Sequence, residues 1–492
     1  MFAPTRAFAA AAAVVLGLGL GVVDPGPALA ATGCASGVPG DVNGDGYAET
    51  AVSSREPQAV HVFYGSRSGL QVNAKGSALD DQVFTQDTRG IPGAPGRDEA
   101  FGQSTTFGDF DGDGCADLAI GAPRDYSASG TVTILYGTPR GLTTSRVLQL
   151  VGVDSLPGDW YVGQFGYRLD HGDVTNDGVD DLLVSVPNAI DNGSDVGNST
   201  LVVYTGGAGG LSKAADRRIP LTGDGDLGGD FEAGIDDFAV GDFDGNGSNE
   251  LAVVSGGIKE LTFSTDRLVA YRQALADTGD ELVAGDVDGD GRDDLAFETY
   301  PEEETVAVAL AFGSANGLSG SGRRSWSDAA LGLGGNYGAL ELAMGRLDRD
   351  AYADLVVTGE HTKVGSAAGA GALTVLFGGT GGPTLDHVVH LSEATAGVPG
   401  TAEKADGFGA SVSVGQVQGG GQASLVVGAP NESSTKTSAG RFYFFPRSTS
   451  GPAARGSRAL SLDTAGVKGR SARESFFGLN VGGPGSWSVS DD

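Results

Sequence analysis

Positive charge is scarce in this chain: 31 Lys and Arg stand against 63 Asp and Glu over 492 residues, a net charge of -32. Such a surface repels phosphate backbones and anionic lipids, which argues against a nucleic-acid partner and favours cations. Long apolar runs are equally rare. Beyond Ala7 to Val23 no stretch approaches the ~20 apolar residues that span a bilayer, so no membrane span is expected in the chain that remains after export. Cysteine occurs only at Cys34 and Cys115, which allows at most one disulfide. No segment carries a convincing helical period.

The first thirty residues read as a targeting segment. Arg6 precedes the uncharged run, and Ala28-Leu29-Ala30 puts small residues where a signal peptidase cuts, predicting a signal peptide over 1–30 and a mature chain over 31–492. A membrane anchor fits less well, because the run is Gly-rich and a little short of ~20 residues. Export makes the chain secreted, whether free in the medium or held at the cell surface, and permits a Cys34–Cys115 disulfide. Two other readings of the cysteines stay open: lipidation of Cys34 after Ala31-Thr32-Gly33, which lacks the usual Leu, and two free thiols.

Glycine is abundant, at 84 residues, and it falls in a repeat of roughly sixty residues. The segment Gly-Asp-Phe-Asp-Gly-Asp-Gly-Cys-Ala-Asp-Leu-Ala-Ile from Gly108 recurs from Gly285, and in looser form from Gly40, Gly172 and Gly241. Degenerate copies begin at Gly345 and Gly415, with Arg346 and Gln416 in place of the first acid. The step from Asp242 to Asp286 is shorter than the others. Phe-Gly pairs precede three copies, at Phe101-Gly102, Phe165-Gly166 and Phe408-Gly409. Apolar runs follow, ending in Gly121-Ala122-Pro123, Ser185-Val186-Pro187 or Gly428-Ala429-Pro430.

These runs are short, rich in Val, Ile, Leu, Tyr and Phe, and bounded by Gly, Pro, Asp and Asn, which is the signature of strands. Four short strands per repeat make one small sheet that cannot bury both faces alone, so the sheets must stack; arranged radially they make a propeller. The fold expected is therefore all-β, a seven-bladed β-propeller. The segment Phe476-Phe477-Gly478 restates Phe408-Gly409 but precedes no acidic loop, whereas the Asp41 copy has a loop and no Phe-Gly strand. The C-terminal strand is thus expected to complete the N-terminal blade and close the ring. Asp80 to Glu99, Ser212 to Ile235 and Glu302 to Asn336 read as long connections that could carry specificity.

The acidic loops follow Asp-x-Asp/Asn-x-Asp/Asn-Gly-x-x-Asp/Glu. Side-chain oxygens at positions one, three, five and nine, with a carbonyl at position seven, suit calcium, which takes six to eight hard oxygen ligands. Position twelve is apolar, Val52, Ile120 or Phe297, which excludes the bidentate Glu of an EF-hand. The expected ligands are Asp41, Asn43, Asp45, Tyr47 and Glu49; Asp109, Asp111, Asp113, Cys115 and Asp117; Asp173, Thr175, Asp177, Val179 and Asp181; Asp242, Asp244, Asn246, Ser248 and Glu250; and Asp286, Asp288, Asp290, Arg292 and Asp294. Thr175 puts a hydroxyl where the others have a carboxylate or amide. The Arg346 and Gln416 copies are expected to bind nothing, with Arg346 standing in for the cation.

The chain resembles the FG-GAP repeats of integrin α-chain N-terminal propellers and their bacterial secreted relatives, through Phe101-Gly102 to Gly121-Ala122-Pro123, Phe408-Gly409 to Gly428-Ala429-Pro430, and the loops between. The resemblance covers nearly all of the mature chain. It implies calcium loops on one face of the propeller and variable ligand-binding loops on the other. Nothing resembles the other integrin domains. The leading functional expectation is an extracellular binding or adhesion module for a protein or glycan ligand. The alternative is a secreted hydrolase or polysaccharide lyase, but none of His61, His171, His361, His387 and His390 stands in a recognisable catalytic motif.

Overall fold

A computed structural model describes Cys34 and residues 37–482, apart from 73–80, 94–98, 145, 152–160, 191–197, 212–217, 222–236, 255–256, 265–266, 276–280, 303–304, 336–339 and 434–437. The expected signal peptide lies outside the described residues. No helix among them is long and apolar enough to cross a membrane.

Seven antiparallel sheets follow one another. Blade 1 contains Thr50–Ser54, Ala59–Phe63 and Gln82–Phe84. Blade 2 is Thr105–Gly108, Asp117–Ala122, Thr131–Leu135 and Val147–Val151. Blade 3 opens with Tyr161–Gly163 and Leu169–Gly172 and continues through Asp181–Ile190, Asn198–Tyr204 and Arg218–Leu221. Blade 4 is Phe238–Gly241, Glu250–Val254, Ile258–Ser264 and Arg267–Leu275. Blade 5 is Leu282–Gly285, Asp294–Glu302, Thr305–Phe312 and Ser319–Ser327. Blade 6 is Leu340–Gly345, Asp354–Gly359, Ala372–Leu376 and Val388–Leu391. Blade 7 is Ser411–Gly415, Ser424–Ala429, Arg441–Phe445 and Arg458–Leu460. The first strands of neighbouring blades touch one another in order, and the series closes on itself.

Closure is made by the C-terminal strand. Val481–Gly482 pairs antiparallel with blade 1, Val481 opposite Val52 and Gly482 opposite Ala51, and Ser53 N–H donates to Asn480 O at 2.9 Å. Apolar clusters fill the space between successive blades, as between blades 1 and 2 (Val60, Phe84, Phe101, Phe107, Leu118) and between blades 7 and 1 (Val52, Phe63, Phe442, Phe477). This is where the hydrophobic stabilisation resides, because each sheet buries its faces only against its neighbours.

The Phe-Gly and Gly-Ala-Pro motifs interlock adjacent blades. Gly102 sits at φ +90°, where a Cβ would lie 2.7 Å from Val60, while Phe101 fills the cluster between blades 1 and 2. A Cβ on Gly121 would fall 2.2 Å from the carbonyl of Gly166 in the next blade, a carbonyl that accepts the Ser104 hydroxyl at 2.7 Å. Gly428, Gly478 and Ser411 repeat the arrangement where blade 7 meets blade 1. Gly102 is thus fixed by its left-handed turn and the Val60 side chain, and Gly121 and Gly428 by the neighbour's backbone.

Two expectations change. The supposed long connections contain strands: outer strand Gln82–Phe84 lies within Asp80 to Glu99, outer strand Arg218–Leu221 within Ser212 to Ile235, and the third and outer strands of blade 5, Thr305–Phe312 and Ser319–Ser327, within Glu302 to Asn336. Ser319–Ser327 reads Ser-Gly-Ser-Gly-Arg-Arg-Ser-Trp-Ser, with no apolar alternation, because none of its residues is fully buried on either face. One short helical turn, Asp125–Ala128, also appears, with Tyr126 and Ser127 left-handed within it.

Candidate functional site: the ring of acidic loops

Every acidic loop leads into the second strand of its blade, from the first strand in blades 2 to 7 and from the start of the ring in blade 1, so all lie on one face of the ring. Asp41 shows how such a loop is shaped. Its Oδ1 accepts the N–H groups of Asn43 and Gly44 at 3.1 and 2.7 Å, and its Oδ2 accepts Gly46 N–H at 2.7 Å. Asn43 Oδ1 then accepts Asp45 N–H at 2.9 Å, and Asp45 Oδ1 accepts Tyr47 N–H at 3.1 Å. The result is a run of side-chain-capped turns, with Gly44 and Gly46 at φ +72° and +90°. Asp109, Asp173, Asp242 and Asp286 likewise each accept the N–H of the sixth residue, Gly114, Gly178, Gly247 and Gly291, at 2.8–3.1 Å.

The ninth residue has a second task that the sequence reading missed. Asp117 accepts Phe110 N–H at 3.0 Å with one oxygen and Gly137 N–H at 2.8 Å with the other. Asp294 does the same with Val287 and Gly313, and Asp354 with Leu347 and Gly378. Each glycine lies just past the third strand of its blade. A Cβ on Gly137 would sit 2.3 Å from Ala116 O and 2.9 Å from Val42 O, so only glycine lets this backbone reach the acid. The signal was the glycine closing Tyr136-Gly137, Phe312-Gly313 and Phe377-Gly378. In blade 4 Phe263 stands at that register, and one oxygen of Glu250 is left buried with no hydrogen-bond partner.

The loops are also stitched to one another. The carbonyl of residue one accepts the N–H of residue eight in the next loop: Asp41 from Ala116 at 2.9 Å, Asp109 from Asp180 at 3.3 Å, Asp242 from Asp293 at 2.9 Å and Asp286 from Ala353 at 2.8 Å. The degenerate loops join the same ring, Arg346 accepting from Ala423 at 2.7 Å and Gln416 from Ala48 at 3.1 Å.

Carboxylates converge in several loops. Ligand oxygens lie within 4.8 Å of one another in Asp41, Asp45 and Glu49; in Asp109, Asp111 and Asp117; in Asp242, Asp244 and Glu250; and in Asp286, Asp288 and Asp290. Asp111 Oδ1 and Glu250 Oε1 are buried and accept no hydrogen bond, which fits a site completed by a cation. Burial, reinforced by neighbouring loop acids, pushes Asp294 up to about 7 and Glu250 up to about 8, and holds Glu49 and Asp117 well above the usual carboxylate range. Positive charge has to come from somewhere for these groups to ionise together. At Asp111 part of it comes from Arg146, which pairs with Oδ2 and lies 3.7 Å over the Tyr136 ring; Arg292 pairs with Asp290 at 2.6 Å.

Two loops depart from the common pattern. The Thr175 hydroxyl donates to Asp181 at 3.3 Å, within the loop. Arg346 does not replace a cation: it is exposed and lines a cavity between the first strands of blades 5, 6 and 7, beside Asp286 and Gln416. The same loop nevertheless brings Asp348, Asp350 and Asp354 within 4.8 Å, a cluster whose third, fifth and ninth positions were legible in the sequence. Its sixth residue is Ala351, and neither Ala351 nor Arg349 takes a positive φ, so this loop turns without the left-handed residues of the others.

The cysteines are joined, Cys34 to Cys115, across 81 residues. Cys115 is the seventh residue of its loop, and the bond ties the start of the ring to the loop of blade 2. A Cβ on Gly114 would meet Cys34 O at 1.9 Å, so the segment lies directly on that loop. Among the histidines, His171 bonds Thr106 at 2.9 Å in the adjacent blade rather than the loop it precedes, and His390 bonds Thr374 at 2.8 Å. His387 stacks on Phe377, and His61 is buried against Phe477, where burial and Lys468 lower it to about 4.

Fold and loops together define a seven-bladed β-propeller carrying a ring of acidic turns. Residues 101–135 match the FG-GAP repeat, and the chain is similar to integrin α chains. Integrin alpha-5 of Xenopus laevis is 30% identical over 161 residues, 32% of this chain and 14% of that protein. Integrin alpha-PS2 of Drosophila melanogaster is 27% identical over 232 residues, 42% of this chain and 16% of that protein. The chain thus matches well under a fifth of these relatives' length. Among solved structures, a Bacillus licheniformis rhamnogalacturonan lyase is 12% identical at a TM-score of 0.33, covering 85% of this chain and 72% of that one, too loose a likeness to bear on activity.

Proposed function

We propose that this chain is an exported propeller whose acidic loops are filled by calcium, and that it serves as an extracellular binding module. The observation that carries the reading is the ring of converging carboxylates, two of them, Asp111 and Glu250, with buried oxygens lacking partners, built into the stitches that hold neighbouring blades together. Oxygen-only ligand sets select hard cations, and calcium tolerates their irregular geometry. Asp41, Asn43, Asp45 and Glu49 would hold one ion with the Tyr47 carbonyl, and Asp286, Asp288, Asp290 and Asp294 another with that of Arg292. The Asp109, Asp173 and Asp242 loops would act alike, with Cys115, Val179 and Ser248 supplying carbonyls. The Asp348 cluster joins them.

With calcium stiffening one face, recognition falls to the other, which antiparallel alternation gives to the turns between second and third strands. Tyr126 stands there 55% exposed and left-handed at φ +49°, with its N–H held by Asp125 at 2.7 Å. A large apolar side chain presented at a backbone cost suits contact with a protein or glycan. Melting the mature protein in calcium and in chelator tests the first half: a large calcium-dependent rise is expected, and no rise would overturn it. Binding to arrayed extracellular glycans and proteins, weakened by Tyr126→Ala with the melting midpoint unchanged, tests the second.

A further inference from the structure

A different group of acids lies on the face away from the loops, where blade 6 hands over to blade 7. Glu393 follows the outer strand of blade 6, Asp406 precedes the Phe408-Gly409 pair, and Glu432 follows the second strand of blade 7. Only 3%, 3% and 5% of these residues is exposed. Asp406 lies against both glutamates. Two cationic or hydroxyl donors reach the group: Tyr443 donates to Glu393 Oε1, and Arg441 pairs with Glu432 Oε1 at 2.9 Å. The second oxygen of each glutamate, Oε2, is buried and accepts no hydrogen bond.

The same register between blades 1 and 2 carries one acid fewer, although Glu99, in the place of Asp406, also keeps a buried oxygen with no hydrogen-bond partner. Gln86 stands where Glu393 does, each beside a glycine, Gly93 or Gly400, on which a Cβ would approach that side chain. Asp125 stands in the place of Glu432. There the Gln86 amide donates to Asp125 Oδ2 at 3.1 Å and the Thr131 hydroxyl donates to the same oxygen at 2.9 Å. At the blade 6–7 junction the amide donor has become a carboxylate. Three carboxylates face one guanidinium, an excess of two negative charges in a buried space.

We propose that Glu393, Asp406 and Glu432 form a cation site of their own, filled by a hard divalent ion such as calcium that the unpartnered Oε2 atoms and Asp406 coordinate. An oxygen-only set with an excess of two negative charges matches such an ion in both hardness and charge. Without it, burial and mutual repulsion push Glu393 up to about 8 and Glu432 up to about 7, against the pull of Tyr443 and Arg441. The ion would brace Gly400, whose backbone crosses directly over Glu393, and with it the segment entering blade 7.

The site is independent of the acidic loops, and the test keeps the two apart. Bound calcium per chain is counted by elemental analysis in the mature protein and in the near-isosteric double variant Glu393→Gln/Glu432→Gln, with Asp286→Asn as a loop control. The double variant is expected to lose one ion and to melt higher than wild type in chelator. Asp286→Asn loses its own ion and keeps this one. An unchanged count in the folded double variant overturns the proposal and leaves three acids sharing protons. If the loops prove empty, a count falling from one to zero still reads this site.

Discussion

The loops of blades 5 and 7 share a backbone plan and differ in chemistry. In blade 5, Asp286 accepts Gly291 N–H at 3.1 Å, and Asp294 ties the loop to Gly313 at the end of the third strand. In blade 7, Gln416 accepts Gly421 N–H at 2.9 Å, the same bond made by a neutral amide. The ninth residue there is Ser424, the third-strand glycine has become Arg447, and Arg447 N–H turns instead to Gln418 at 2.9 Å. The Arg447 guanidinium also donates to Gly419 O, bringing its own positive charge to the loop. Both loops pass the stitch to the next blade. Shaping the turn and holding charge are therefore separable tasks, and blade 7 keeps the first without the second.

Chelation should widen that difference most. A site at a calcium concentration a hundred times its Kd adds about 2.7 kcal/mol, so emptying several loops lowers the melting midpoint by far more than any single substitution, and restored calcium recovers it. Next comes the brace. Asp294→Ala strands two buried N–H groups, at about 1–3 kcal/mol each, whereas Ser424→Ala gives up one hydroxyl bond at about 1 kcal/mol; chemical denaturation in calcium measures the pair. Equal costs would dissolve the comparison.

Acidity should separate the two loops further. Asp294 and Asp354, each near 7, and Glu250, near 8, are raised above their unfolded values, so their contribution in chelator is full below about pH 4 and is lost as pH rises through 7 to 8. The chelated protein should then melt higher at pH 5 than at pH 8, while calcium flattens the profile by holding the carboxylates ionised. Blade 7, lacking acids at these positions, adds nothing to that slope. The smallest effect is expected at Arg146, whose guanidinium holds Asp111. Arg146→Gln should tighten calcium at the Asp109 loop several-fold in a calorimetric titration, with little change in the chelated midpoint.

Much of this was legible in the sequence because repetition makes geometry visible. Seven copies with strand-like flanks imply a ring, and Phe476-Phe477-Gly478 without a loop implies that the C-terminus fills the gap left by the Asp41 copy. The Cys34–Cys115 bond was one of three readings that the cysteine count and the expected export allowed, and it is the one the structure shows. What stayed hidden depends on partners distant in the chain. Gly137 reads as a turn residue until Asp117 is seen to need its N–H, and Arg146 reads as a surface charge until it lies on Asp111. The Asp348 cluster was set aside because its first and sixth residues fail the pattern, although the three remaining acids converge. Outer strands such as Ser319–Ser327 carry too little apolar alternation to announce themselves.

The most direct test is to count calcium in the folded mature chain and in two variants, Asp286→Asn and Gln416→Asn. Several ions in wild type, one fewer in Asp286→Asn and no change in Gln416→Asn are the results predicted. No bound calcium in any of the three, with all of them folded, would contradict the account and leave the acidic loops as turns that stitch the blades and do nothing more.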